Sequence, residues 1–183
     1  LRGVDMLFHP GTHDFVCFDL AWGGKHHPNI PIYLKANTGH GKRGGHPGSE
    51  RGEQNKAAFL MEHFFEDFDS LLQPPAVKSQ RKGNRLQVEV TFKPGNKSES
   101  GRIFWIYDRG ADGSAAYLDD MIPKENWGDM KYDSDKKAWT VAIELDPKAE
   151  RIDFFSNHRK TISHKFRKYP TYISSPYTRV VLK

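Results

Sequence analysis

The sequence predicts a chain of two classes, an α/β part over residues 1–73 and an all-β part over residues 76–183, meeting at Pro74-Pro75. Three observations point there. Two strand-like apolar runs early in the chain each lead into a Gly-containing turn that holds a titratable side chain. Residues 57–72 repeat apolar side chains at steps of three and four, the period of a helix with one buried face. After Pro74-Pro75 the repeat falls to two, the period of half-buried strands.

Residues 4–8 are apolar except for Asp5 and predict a buried strand, followed by the turn His9-Pro10-Gly11-Thr12-His13-Asp14. Residues 15–22, apolar around Asp19, predict a short helix that Gly23-Gly24 breaks. Residues 30–36 predict a second strand, ending in Asn37-Thr38-Gly39-His40-Gly41. Glycines on both sides of His40 allow positive φ and the close approach of another group. A Gly-rich loop over 41–48 follows, and Ser49 reads as the N-cap of a helix with Glu50 and Glu53 in its first turn. Ala57, Leu60, Met61, Phe64, Phe65, Phe68, Leu71 and Leu72 form that helix's apolar face. Two preceding strands are too few to cover it, so residues 1–73 read as the C-terminal piece of a larger domain.

Beyond the Pro-Pro boundary, Leu86-Gln87-Val88-Glu89-Val90-Thr91-Phe92 alternates, residues 102–107 are apolar on both faces, and residues 138–145 alternate again. Residues 151–155, 171–173 and 179–182 complete the set, with a weaker strand at 115–118. About seven short strands separated by turns predict a β-sandwich of immunoglobulin-like type.

With 37% hydrophobic and 13% aromatic residues, the 183-residue chain can build a real core, which excludes disorder throughout. The formal charge of +5 is moderately basic, and residues 78–85 and 159–168 are locally so. Lys and Arg are scattered and lack regular aromatic interleaving, so nucleic acid is not an expected partner. Cys17, the single cysteine, excludes an intrachain disulfide and reads as a buried thiol within an apolar run. No apolar stretch approaches the ~20 residues of a membrane span, and no membrane partner is expected. The chain opens on Leu1-Arg2-Gly3 without Met or a secretory leader pattern, as a processed or excised segment does.

The residues that point to chemistry are Asp14 and His40, each following a strand, with one short helix between them. In α/β-hydrolases the triad runs nucleophile, acid, histidine, with the acid after one strand and the histidine after the next. The predicted order therefore matches the C-terminal third of that fold. Asp14 accepts the second N–H of the imidazole, fixing its tautomer, and His40 serves as general base. Asp19 is the alternative acid, and a plain N-cap role for Asp14 is the structural alternative. Gly39 and Gly41 would line the pocket.

Gly11-Thr12-His13-Asp14 and Asn37-Thr38-Gly39-His40-Gly41 resemble the acid and histidine turns of α/β-hydrolases in the PhoPQ-activated pathogenicity-related group. Those turns read G-T-N-D and N-T-G-H-G, so His13 stands where the group has Asn. The group also carries a β-rich domain after its hydrolase helix, similar in outline to residues 108–120 and 139–155. The resemblance implies a cofactor-free serine hydrolase acting on a small carboxylic ester, in a secreted or periplasmic location.

No Gly-x-Ser-x-Gly elbow occurs, and Gly113-Ser114-Ala115 lacks a strand-to-helix context. The nucleophile and oxyanion donors are thus expected from an N-terminal hydrolase segment, in a precursor or as a separate chain. His9, His13, His26, His27 and His46 show no recognised ligand spacing, so no metal is expected. Trp105, Trp127 and Trp139 read as packing, with a sugar platform as the alternative, and Asp133-Ser134-Asp135 reads as a hairpin turn. The rival class is a non-catalytic binding or assembly protein, a degenerate hydrolase scaffold presenting its β-sandwich to a glycan or protein.

Overall fold

The computed structural model describes residues 6–13, 19–39, 45–50, 52–110 and 121–183. Among them are two helices, α1 (Leu20–His26) and α2 (Asn55–Phe64), and nine strands. The strands are β1 (Ala76–Lys82), β2 (Arg85–Thr91), β3 (Ser100–Tyr107), β4 (Trp127–Asp129), β5 (Lys131–Asp133), β6 (Ala138–Glu144), β7 (Arg151–His164), β8 (Arg167–Ser174) and β9 (Thr178–Val181). One antiparallel sheet has the order β1-β2-β6-β5; the second runs β4-β3-β7-β8, with β9 also paired to β7.

Period-two sequences build the layers directly. Leu86, Val88 and Val90 of β2 point to one side and meet Ile103, Ile143, Ile152 and Phe154 between the two sheets. On β3 the alternation has a second consequence. Ile103 faces that inter-sheet core, while Phe104 and Ile106 face the other way and join Leu34, Ala36, Phe155 and Tyr177. The second sheet is therefore covered on both faces, by the first sheet and by residues 32–36. Full burial of a side chain such as Phe104 or Phe155 stabilises by about 1.5–3 kcal/mol.

The expected fold class is corrected. Among the described residues the fold is mostly antiparallel β-sheet, without the alternating α and β elements of an α/β-hydrolase third. A two-sheet sandwich is present, with β7 spanning 14 residues and pairing with β3, β8 and β9. The two early strands reduce to the parallel bridges Phe8 with Ile32 and Gly11 with Lys35. The expected long helix is the ten-residue α2, which stops where Phe65 turns extended at φ −130° and ψ 114°. Phe68, Leu71 and Leu72 are still buried, but from non-helical chain, and Phe68 and Leu71 pack with Ile162 of β7 and Tyr169 of β8. Leu60 and Phe64, placed on the buried face by periodicity, are 55% and 75% exposed.

Ser49 is not the N-cap. Its Oγ accepts from Ala36 N at 3.2 Å, and α2 begins beyond it at Asn55. The Asn55 side chain grips β8, donating to Tyr172 O at 2.9 Å and accepting from Tyr172 N at 2.8 Å. The weaker strand at 115–118, Gly113-Ser114-Ala115 and Cys17 lie outside the described residues.

Candidate active site

Two short extended segments lie side by side. Phe8 N donates to Pro31 O, Tyr33 N to Phe8 O, Lys35 N to Pro10 O and Thr12 N to Lys35 O, all between 2.8 and 3.0 Å. The pairing is parallel, and α1 lies between the two segments in sequence. Asp19 caps α1, with Oδ1 accepting from Trp22 N at 2.7 Å, at φ 47° and ψ 58°. It borders the groove lined by Tyr177 and Arg179, whereas Thr38 borders a different cavity. The structure thus gives Asp19 a capping task.

At their carboxyl ends the two segments are locked together. His13 N donates to Thr38 O at 3.1 Å, and Asn37 N donates to Thr12 Oγ1 at 2.9 Å. Gly11 permits this contact, because a Cβ there would stand 1.8 Å from Thr38 O. Asn37 holds the left-handed conformation at φ 55°, which Asn tolerates better than most side chains. Its amide clamps Ile122, donating to the carbonyl at 2.7 Å and accepting from the N–H at 2.9 Å. Thr12, His13, Asn37 and Thr38 are all buried.

A buried charge network braces the first turn from below. Arg109, 2% exposed, donates through Nη2 to Thr12 O at 2.6 Å and through Nη1 to the Tyr177 hydroxyl at 3.3 Å. The Tyr177 hydroxyl donates to Asp153 Oδ2 at 3.1 Å, and Arg179 closes on both Asp153 oxygens at 2.7 Å. Burial, with Asp153 beside it, pushes the Tyr177 hydroxyl well above the ordinary phenol range. Such buried pairs are costly to break one partner at a time.

Asp14, His40 and Gly41 lie outside the described residues. Gly39 is half-buried directly after the locked Asn37-Thr38 pair. Next to that turn is a cavity of about 640 Å³, bordered by His9, Lys35, Thr38, Gly45, Glu53 and Lys56. Its volume is within the range of small-molecule sites. Burial, reinforced by Lys35 and Lys56, lowers the His9 imidazole to about 4, so His9 is neutral near pH 7.

Of the other histidines, His46 is structural: Nε2 lies 2.9 Å from Pro123 O, and Nδ1 accepts from Gly48 N at 3.1 Å. His26 and His27 flank the exposed ring of Trp22. One serine does meet a histidine, Ser156 Oγ with His158 Nε2 at 2.8 Å. Both are fully buried within the second sheet, beyond the reach of any substrate.

Sequence reading missed three contributors to this region. The Asn37 clamp on Ile122 and the Arg109 brace under Thr12 join residues 85 and 97 apart, beyond the reach of any local pattern. The lysines of the cavity carried no local signal. No family model, curated protein or solved structure matches the chain.

Proposed function

We propose that residues 6–50 carry the acid and base of an acyl-transfer site, with Asp14 orienting His40 and the cavity beside Thr38 receiving a small ester. The nucleophilic serine comes from a preceding segment of the same protein or from a separate chain. One observation carries the reading: the parallel pair ends with His13 bonded to Thr38, and Asp14 and His40 are the residues one and two positions further along. The likeness of both turns to the acid and histidine turns of the PhoPQ-activated pathogenicity-related group adds to it. Only the turns and their parallel neighbours are needed, not that group's fold.

Chemically, the Asp14 carboxylate accepts one imidazole N–H and stabilises the imidazolium. The other nitrogen of His40 takes the serine proton as Oγ attacks the ester carbonyl, then returns it to the departing alkoxide. Water repeats the cycle to release the acid.

The test is a fluorophosphonate label on the native preparation, with p-nitrophenyl acetate hydrolysis measured alongside. A labelled co-purifying partner or longer precursor is expected, and His40→Ala abolishes both signals without lowering the melting temperature. Absence of any labelled species favours the non-catalytic scaffold; ester hydrolysis retained in His40→Ala removes His40 as base.

A further inference from the structure

Beyond the last pairing of β3 with β7, at Ser100 and Arg159, β7 and β8 run on as a two-stranded ribbon to His164 and Arg167. From Arg159 to His164 the ribbon extends about 17 Å at ~3.4 Å per residue. Ile162 and Tyr169 on one of its faces pack with Phe68 and Leu71, so that face is covered. The tip, in contrast, is not explained by the fold. A two-residue turn, Lys165-Phe166, closes the hairpin, with Lys165 at φ 53°. Such turns favour Asn and Gly, which take positive φ at less cost. Phe166 is 104% exposed and adds nothing to the core. Phe65, 41% exposed, stands at the base of the tip, its ring 5.7 Å from the His164 ring and 5.7 Å from Lys165 Nζ.

Charge on the ribbon has one sign. Residues 154–183 contain no Asp or Glu, while Arg159, Lys160, Lys165, Arg167 and Lys168 crowd into residues 159–168. Carboxylates from elsewhere in the chain engage other groups. Glu99 holds Arg159 at 3.1 Å, Asp69 holds Lys160 at 2.9 Å, and Asp67 Oδ1 lies 3.9 Å from His164 Nδ1. Lys165, Arg167 and Lys168, all exposed, are paired with no carboxylate among the described residues. Arg167 pairs with His164 and Lys168 with Ser163, so these two cations project from opposite faces of the ribbon.

We infer that this tip docks on an anionic phospholipid bilayer, with Phe166 inserted and Lys165, Arg167 and Lys168 against headgroup phosphates. The shape favours a bilayer over a protein, because a lone convex ring needs a pocket in a protein and none in a deformable interface. When Phe166 is sunk about 5–10 Å into the boundary of headgroups and acyl chains, Arg167 and Lys168 stand ~3.4 and ~7 Å behind it along the strand. That is the level of the phosphates, and cations on both faces of the ribbon meet them. Surface contact needs no spanning segment, and no described helix is long and apolar enough to cross a membrane. This docking does not depend on the hydrolytic reading.

The experiment sediments the full chain with sucrose-loaded vesicles of phosphatidylcholine alone, and of equimolar phosphatidylcholine and phosphatidylglycerol, at low and at physiological salt. Binding to the mixed vesicles about tenfold tighter or more is expected, weakening as salt rises. Phe166→Ala loses about tenfold, the worth of one ring removed from water, and Lys168→Ala about fivefold. Both variants melt as the wild type does, since neither side chain is packed. Phe166→Trp adds emission that brominated acyl chains quench, the mark of a ring below the headgroups. No sedimentation with the mixed vesicles overturns the inference and leaves the tip to a protein partner. Binding unchanged in Phe166→Ala, which net charge alone would give, overturns it as well, and so does added Phe166→Trp emission that brominated lipid leaves unquenched.

Discussion

Replacing Asn37 with Ala tests how the histidine turn is held. The Asn37 side chain is 7% exposed and satisfies both backbone groups of Ile122, itself 2% exposed, at 2.7 and 2.9 Å. Truncation strands one buried N–H and one buried C=O, each costing about 1–3 kcal/mol unless water enters. Partial hydration brings the pair to roughly 2–4 kcal/mol. Ala also tolerates the positive φ of this position less well than Asn, adding about 1 kcal/mol. The expected total is therefore about 3–5 kcal/mol, read as a fall in unfolding free energy by urea titration with an unchanged m-value. Asn37→Gly removes the same two bonds but not the backbone freedom, so it should lose about 1 kcal/mol less than Asn37→Ala. A loss under about 1 kcal/mol in Asn37→Ala, or a larger loss in the Gly variant, refutes the clamp as described.

Gly11→Ala drives a Cβ to 1.8 Å from Thr38 O, so the two turns must separate; a marked drop in melting temperature and in any ester cleavage is expected, and a wild-type melt contradicts the close approach. Asp153→Ala leaves Arg179 without its buried counter-charge and should cost about 3–5 kcal/mol, part of which returns in the Asp153→Ala, Arg179→Met double variant; equal losses in the two variants contradict the pairing. His158 is buried and its imidazole is pushed down from 6.5 to about 3 by burial. Below pH 6.5 the unfolded chain binds a proton there that the folded chain takes only near pH 3, so stability is complete above 6.5 and falls as pH drops through that window. His158→Gln should flatten the fall measured between those limits, and unchanged slopes contradict it.

What could be read from the sequence follows the reach of each signal. β2, β3 and β6 were legible because alternation is local and their inward side chains are apolar. β1 was not, since nearly all its side chains are exposed and polar and only its pairing with β2 makes it a strand. The helix was overrun because Phe68, Leu71 and Leu72 continue the three-four spacing while serving an extended chain. Hydrophobic spacing records which side chains are buried, not the backbone that carries them there. The turns at Gly11 and Asn37 stood out through their Gly and Asn residues, but what fixes them did not. Ile122 and Arg109 reach them across 85 and 97 residues, and no local pattern encodes that distance.

The most direct measurement of the central claim is the separation of the Asp14 carboxylate from the His40 imidazole in a high-resolution crystal structure. The account predicts an oxygen–nitrogen distance of about 2.6–3.2 Å, with the other ring nitrogen facing the cavity beside Thr38. A separation beyond about 5 Å, outside hydrogen-bond reach, would contradict it.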